Sequence, residues 1–121
     1  MNILLAEDEP DIQLVTRLAL EDAGHTIKVV SDGQAVIEHA QASSFDVLLL
    51  DIMMPRLDGF AVCLQLKSDP RTRDLPIIFF SAKSQEAEVE KGLSLGAIGY
   101  IVKPFDVFTL ADAIDSILRT G

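Results

Sequence analysis

The sequence contains one cysteine, Cys63, two histidines and no tryptophan among its 121 residues. A single cysteine excludes an internal disulfide, and one cysteine with two histidines cannot build a thiolate-based metal site. Basic residues are also few, because 10 Lys and Arg residues stand against 19 Asp and Glu residues, and they form no run. Neutralising phosphates requires clustered positive charge, so direct binding to nucleic acid or to an anionic membrane surface is disfavoured.

Long apolar segments are missing as well. No stretch approaches the roughly 18 apolar residues of a membrane span, and the N-terminal sequence has neither a basic leader nor an apolar run long enough for a signal peptide. We therefore expect a cytoplasmic protein. What the chain does have is 49% hydrophobic and 24% charged residues, as in an ordinary globular protein. Its length is typical of a single domain, so we expect one domain over residues 1–121.

Short apolar runs alternate along the chain with amphipathic stretches. The apolar runs predict strands over residues 3–6, 26–30, 47–50, 76–81 and 99–103. The amphipathic stretches predict helices over residues 10–24, 33–39, 59–67 and 84–95, and a last helix that Asp106 caps. Five strands alternating with five helices indicate an α/β fold in which a parallel sheet is covered by helices on both faces.

The order of the strands follows from how apolar each run is. The runs at 3–6, 47–50 and 76–81 are continuously apolar, as in central strands, whereas the run at 26–30 alternates, as at an edge. This pattern is compatible with the flavodoxin-like, doubly wound (βα)5 fold with strand order 2-1-3-4-5, which we predict.

Apolar side chains also predict which helix faces lie in the core. In the first helix, Ile12, Val15 and Ala19, beside Leu14 and Leu18, form one apolar stripe. In the last helix, the predicted stripe consists of Val107, Leu110, Ala111, Ile114, Ile117 and Leu118. The fourth helix has only a thin apolar side, formed by Ala87, Val89 and Leu93, so we expect it to be the most loosely held. Cys63 lies on the apolar side of the third helix and is expected in the core.

Four of the predicted strands end in polar residues. Glu7 and Asp8 follow the first strand, Asp51 follows the third, Ser81 ends the fourth and Lys103 ends the fifth. Any one of them alone is as well explained by a helix cap, a turn or a solvated surface. In a parallel sheet, however, all these ends lie at one edge, where ligands bind. We therefore expect three carboxylates, a hydroxyl and an ammonium group to converge there.

Converging carboxylates repel one another, and a divalent cation would relieve the repulsion. Hard oxygen ligands, few of them supplied by the protein, suit Mg²⁺ that retains several waters. A metal, an ammonium and a hydroxyl around one carboxylate also suit a phosphoryl group, whose charge spreads over its oxygens. Asp51 would then be the nucleophile that accepts the phosphoryl group.

Four motifs together resemble the receiver domain of bacterial two-component response regulators, in particular the chemotaxis regulators. They are "LLAEDEP", "LLLDIMMPRLDG", "IIFFSAK" and "GAIGYIVKPF", and they occur in the family's order over essentially the whole chain. The resemblance implies that Asp51 accepts the phosphoryl group and that Ser81 and Lys103 bind its oxygens. It also implies that Asp8, Asp51 and the Met53 backbone carbonyl bind Mg²⁺, with Glu7 bound through water.

The resemblance further implies a signalling switch and not an enzyme. A histidine kinase or a phosphotransfer protein would supply the phosphoryl group, and Ser81 and Tyr100 would change the surface of the fourth helix, fifth strand and fifth helix. The reader of this surface would be an output protein, an attached effector domain or a phosphorylation-dependent dimer. Ile98 and Gly99 occupy positions that are usually acidic in the DNA-binding regulators that dimerise through this surface, which favours a different partner. The Lys103–Pro104 bond matches one that is usually cis.

Two other functions use similar groups. An aspartate-nucleophile phosphatase or phosphotransferase commonly has a second Asp two residues after the nucleophile, where this chain has Met53. A flavodoxin would need a loop rich in Ser, Thr or Gly after the first strand, and the acidic "AEDEPD" would repel the flavin phosphate instead. Both alternatives are therefore less well supported than the receiver domain.

Overall fold

A computed structural model describes residues 1–82 and 85–120 of the chain. Within them the strands are β1 (Asn2–Ala6), β2 (Thr26–Val30), β3 (Val47–Leu50), β4 (Ile77–Ser81) and β5 (Gly99–Val102). The helices are α1 (Pro10–Asp22), α2 (Gly33–Ala42), α3 (Gly59–Ser68), α4 (Glu86–Ser94) and α5 (Leu110–Thr120). The predicted start of the fourth helix, Ser84, lies outside the described residues. No helix within these residues has the length and hydropathy of a transmembrane segment.

All neighbouring strands pair in parallel, in the order β2-β1-β3-β4-β5. The predicted order is thus confirmed. The core strands β3 and β4 are buried along their whole length, whereas β2 at the edge is buried only at Val30. Since successive side chains point to opposite faces, the continuously apolar strands supply both layers of the core.

Helices cover the two faces of the sheet with separate hydrophobic layers. One layer packs strand residues such as Leu50 and Phe79 against α2 and α3, and it includes Cys63, which is fully buried as predicted. The other layer packs strand residues such as Leu49 and Phe80 against α1 and α5. Burial on both faces fixes the sheet and therefore the positions of the residues that follow each strand.

The predicted apolar stripe of α1 is wrong in part. Leu14, Val15 and Leu18 are 48%, 44% and 52% exposed, and the helix instead buries Thr16 and Leu20. The face toward the sheet therefore includes a polar residue, whereas three large apolar residues face outward. Burial of apolar residues is a one-way rule, because a folded surface still contains many apolar atoms.

The last helix begins later than predicted. Asp106 Oδ1 accepts a hydrogen bond from the Phe108 N–H in a turn, and α5 starts at Leu110. Val107, predicted to be in the stripe, is 41% exposed, so that part of the prediction is wrong. The rest is confirmed: Leu110 and Ile114 are buried, and Ala111, Ile117 and Leu118 pack against the same layer.

Helix α4 contacts the core through a glycine. Gly92 is its one buried residue among those described, and a Cβ atom there would lie 2.7 Å from the Phe79 ring. Leu93 is 45% exposed and Ala87 is also exposed, which agrees with the thin apolar side predicted for this helix. Few buried contacts hold α4, so it should move at low free-energy cost.

We expect Thr16→Val to stabilise the fold. Thr16 is fully buried on α1, and within the described residues its Oγ1 atom has no hydrogen-bond partner. Removing a buried unpaired hydroxyl while keeping the side-chain shape should raise the free energy of unfolding by about 1 kcal/mol. Urea unfolding would measure the change, with Thr26→Val at an exposed site as the control. A loss of stability in Thr16→Val would show that the hydroxyl is satisfied in solution.

Candidate metal and phosphoryl-acceptor site

Three carboxylates meet at the carboxyl edge of the sheet. Glu7 and Asp8 follow β1 and Asp51 follows β3, and the register that pairs Ala6 with Leu50 sets Glu7 level with Asp51. One oxygen from each of the three carboxylates lies within 4.8 Å of the others. Glu7 and Asp51 are buried, whereas Asp8 is exposed. The structure thus brings together the carboxylates that the sequence places at this edge.

Lys103 lies between two of these carboxylates. Its Nζ atom donates to Glu7 Oε1 at 2.5 Å and to Asp51 Oδ2 at 3.2 Å. Burial acts to lower the pKa of Lys103, but the hydrogen bond with Glu7 and the charge of Asp51 outweigh burial, so the pKa is raised overall. Lys103 is therefore cationic and offsets part of the negative charge of the site. The Lys103–Pro104 bond that follows is cis, as the family resemblance implies.

The pKa of Glu7 is raised overall, so its surroundings disfavour the charged form of this carboxylate. Burial raises the pKa of Glu7, and hydrogen bonds from Lys103 and from the Glu9 N–H oppose this effect. A divalent cation would add to the groups that favour the charged form. The donors are oxygens only, and the exposed Asp8 leaves room for water ligands, which together suit Mg²⁺. The residues present therefore fit the metal that the sequence predicts.

The two predicted switch residues, Ser81 and Tyr100, are in contact. Ser81 is 1% exposed at the end of β4, and Tyr100 lies half-buried on β5, with its ring centroid 6.0 Å from that of Phe79. Burial raises the pKa of Tyr100, a side-chain hydrogen bond with Ser81 opposes the effect, and the charges of Glu88 and Asp51 raise it further. The Ser81 side chain, at the carboxyl end of β4, is thus hydrogen-bonded to the tyrosine.

The loop between β3 and α3, residues 51–58, orients Asp51 through its backbone. The Met53 N–H donates to Asp51 Oδ1 at 3.3 Å, and the Gly59 N–H donates to the Ile52 carbonyl at 2.8 Å. A Cβ atom at Gly59 would lie 2.3 Å from the Asp51 carbonyl oxygen, so the close approach of α3 requires glycine. The Met53 backbone therefore contacts the Asp51 carboxylate, and Met53 as a residue is 63% exposed.

Sequence reasoning missed two groups around the site. Arg56 has a left-handed backbone conformation, with φ of 70°, and its guanidinium lies 4.0 Å from the Asp32 carboxylate. Gln13 Nε2 donates to the backbone carbonyl of Glu7 and to Ser31 Oγ. Left-handed positions favour glycine or asparagine, so an arginine gave no signal. Gln13 lies one helical turn after Glu9, and this spacing is the sequence signal that could have indicated its contact with Glu7.

An exposed apolar surface lies between α1 and the turn before α5. Phe108, which is 91% exposed, and Val107 lie in the turn before α5, and Val15 and Leu18 lie on α1. These four residues, which we term the α1–α5 surface, line a groove of about 630 Å³ whose lining also includes Asp112. Apolar residues that cluster at a protein surface are typical of interaction sites, whereas isolated ones are not. The sequence placed Val15, Leu18 and Val107 in the core, so this surface was not predicted.

A family model described as "Response regulator receiver domain" matches residues 3–115. Among curated proteins, the chain is 38% identical over 121 residues to the transcriptional activator protein IrlR of Burkholderia pseudomallei, covering 100% of this chain and 52% of that protein. It is 36% identical over 118 residues to the response regulator ArlR of Staphylococcus epidermidis, covering 98% of this chain and 52% of that protein. The chain thus spans about half the length of the curated relatives it matches.

Solved structures with the same fold include the chemotaxis response regulator CheY4 of Vibrio cholerae. Its TM-score is 0.89 at 27% identity, covering 96% of this chain and 97% of that one. The receiver domain of the sensor histidine kinase PA1611 of Pseudomonas aeruginosa PAO1 has a TM-score of 0.85 at 30% identity, covering 98% and 94%. That receiver domain has a magnesium ion coordinated in its active site cleft. These likenesses confirm the fold predicted from the sequence.

Proposed function

The chain belongs to the response regulator receiver domain family, and we propose that residues 1–121 form a receiver domain that accepts a phosphoryl group on Asp51. Receiver domains are signalling switches and not classical enzymes. The observation that carries the proposal is the bridge that Lys103 forms between Glu7 and Asp51 at 2.5 Å and 3.2 Å. A buried acceptor carboxylate, a cation and the hydroxyl of Ser81 at one sheet edge are the groups that phosphoryl transfer to a carboxylate requires.

The proposed step is a displacement at phosphorus. An Asp51 oxygen attacks the phosphorus of a phosphohistidine, so that a P–O bond forms as the P–N bond breaks and the electron pair returns to the imidazole. Lys103 shifts from its two carboxylates to pair with a phosphoryl oxygen, and the Ser81 hydroxyl donates to another. Asp8, Asp51 and the Met53 carbonyl would hold Mg²⁺, with Glu7 bound to it through water, and the metal would neutralise charge on the phosphoryl oxygens when bound.

The α1–α5 surface is where we place the phosphodonor, a histidine kinase or a phosphotransfer protein. Helix α1 starts two residues after Asp8, and Val107 and Phe108 follow Lys103 by four and five residues, so the segments that carry this surface are connected directly to the site. A donor protein bound there could reach Asp51 with its phosphohistidine. The acidic Asp112 beside the apolar residues favours a donor that combines apolar contacts with basic groups.

Phosphorylation of Asp51 is tested with a small acyl phosphate as donor, because this bypasses the protein partner. In the presence of Mg²⁺ the wild-type chain should gain one phosphoryl group that base removes, as measured by mass spectrometry. Asp51→Asn should gain none, and Asp74→Asn, on the loop before β4, should behave like the wild type. Equal modification of Asp51→Asn would show that the acceptor is another residue.

Turnover separates this proposal from an aspartate-nucleophile phosphatase or phosphotransferase. Such an enzyme would hydrolyse a generic phosphate ester through many cycles. In this chain the position two residues after Asp51 is Met53, whose side chain cannot act as a general acid or base. We therefore expect no multiple turnover with a generic phosphate ester, and sustained hydrolysis would favour the enzyme.

We further propose that Ser81 and Tyr100 convert phosphorylation into a change of surface. The phosphoryl oxygens compete with Tyr100 for the Ser81 hydroxyl, and this differential contact biases the position of α4. Partners would then read α4, β5 and α5. Ile98 is partly buried against the core, and a Cβ atom at Gly99 would lie 2.6 Å from Ile117, so neither position presents an acidic side chain at this surface. We therefore favour a different protein partner or an attached effector domain over a dimer bridged by an acidic pair.

The switch predicts where NMR shifts occur. Adding Mg²⁺ and beryllofluoride, which mimics a phosphoryl group, should shift the amide resonances of Tyr100, α4 and β5 as well as those of residues 51–58. In Ser81→Ala the residues of the loop should still shift, because the acceptor is intact, whereas the shifts of α4 should become smaller. Wild-type shifts confined to residues 51–58 would contradict the proposed switch.

A further inference from the structure

The corner between β1 and α1 carries Glu7 and Asp8, and we term it the metal corner. A side chain of α1 is hydrogen-bonded to it. Gln13 Nε2 donates to the Glu7 backbone carbonyl at 2.5 Å and to Ser31 Oγ at 3.1 Å. The acceptor is a carbonyl, so the atom bonded to it is the amide nitrogen, which fixes the orientation of the Gln13 side chain. Gln13 therefore ties the metal corner to the loop between β2 and α2.

The loop between β2 and α2 also contacts the loop between β3 and α3, which carries Asp51. The Gly33 N–H donates to the Pro55 carbonyl at 3.5 Å, and Asp32 lies 4.0 Å from Arg56. A Cβ atom at Gly33 would lie 2.2 Å from the Leu57 carbonyl oxygen, so the two loops are in close contact. Residues 31–33 thus lie between the two loops that supply the carboxylates.

We propose that Gln13, through Glu7 and Ser31, is a positioning residue that holds the metal corner in register with Asp51. The inference rests on the proposed function, because it assumes that the three carboxylates bind Mg²⁺. Two of these carboxylates lie on one loop and the third on another, so Mg²⁺ needs the loops at a fixed separation. Mg²⁺ demands near-ideal octahedral geometry, and residues that orient its ligands typically change affinity by 10- to 100-fold.

Gln13→Leu removes both hydrogen bonds while keeping a side chain of similar size. Its Kd for Mg²⁺, measured by NMR titration of the metal-free chain, should rise about tenfold. Gln13→Asn keeps the amide but is one methylene shorter, so it should lose affinity as well. Ser31→Ala keeps the bond to Glu7 and should have a smaller effect. Gln41→Leu removes a comparable glutamine, bonded to Asp69 on the surface, and should bind Mg²⁺ like the wild type.

Saturation with Mg²⁺ distinguishes positioning from a general loss of structure. With a small acyl phosphate as donor, the phosphorylation rate of Gln13→Leu should be low at limiting Mg²⁺ and should recover to the wild-type rate at saturating Mg²⁺. Unchanged Mg²⁺ affinity in both Gln13 variants, or a rate that stays low at saturation, would overturn the role of Gln13. A wild-type chain that binds no Mg²⁺ would overturn the metal site, and this inference with it.

Discussion

Replacing Asp8 with alanine should weaken Mg²⁺ binding at least tenfold and should stabilise the metal-free chain. Asp8 is the exposed member of the three carboxylates, and its removal leaves the metal with two carboxylates from the protein. Loss of a direct ligand should cost at least as much affinity as loss of a residue that only orients one, which is typically about tenfold or more. Without metal, the same substitution removes repulsion among three acidic groups that Lys103 only partly offsets.

Thermal unfolding with and without Mg²⁺ measures both effects in one experiment. At 100 times its Kd, a metal that binds only the native state stabilises it by about 2.7 kcal/mol, and a tenfold weaker site at the same concentration gains about 1.4 kcal/mol. Asp8→Ala should therefore start from a higher melting temperature than the wild type and gain less from Mg²⁺. Asp74→Ala, which removes an exposed carboxylate outside the cluster, should gain as much as the wild type. An equal gain in Asp8→Ala would exclude Asp8 as a ligand.

Much of the site could be predicted because it depends on the sheet. Continuously apolar strands are central, parallel strands end at one edge, and Glu7, Asp51 and Ser81 stand directly at such ends. In the structure the register pairs Ala6 with Leu50 and Leu50 with Phe79, so the residues at these strand ends lie at the same edge of the sheet. The same reasoning placed Lys103 at this edge, although the bridge to Glu7 and Asp51 depends on side-chain conformation.

The hydrogen bonds of Gln13 and the backbone conformation of Arg56 could not be predicted in this way. Both depend on how loops from different parts of the chain meet, and a local pattern in the sequence contains no information about such contacts. Backbone strain of this kind often occurs at functional sites, because the surrounding structure fixes it.

The errors on α1 and α5 have a common cause. Sequence periodicity assigns every apolar helix residue to the core, and Val15, Leu18 and Val107 were assigned in this way. The structure leaves all three at the surface, together with Phe108, and buries Thr16 instead. A surface that binds a partner is apolar for the same physical reason as a core, so the sequence alone cannot distinguish the two. Val15, Leu18 and Val107 all belong to the α1–α5 surface, where we propose that the phosphodonor binds.

Phe108→Asp should slow phosphoryl transfer from a histidine kinase and leave transfer from a small acyl phosphate unchanged. Phe108 is 91% exposed, so the substitution should barely affect the stability of the isolated chain. In the complex with a kinase, the aspartate would place an unpaired charge in an apolar contact. An aromatic residue at the centre of an interface typically contributes about 2 kcal/mol or more, which corresponds to roughly a 30-fold slower transfer at subsaturating kinase.

The experiment uses the histidine kinase that phosphorylates the wild-type chain fastest in a panel of purified kinases. Leu64→Asp on α3 is the matched control, because Leu64 is also a large exposed apolar residue, at 56%, but lies outside the α1–α5 surface. Phe108→Asp should be slow with the kinase and normal with the acyl phosphate, and Leu64→Asp should be normal with both. Normal transfer from the kinase to Phe108→Asp would place the donor elsewhere. Equal slowing with both donors would mean that the aspartate disturbs Lys103 or Asp51, because the acyl phosphate needs only the site and no docking surface.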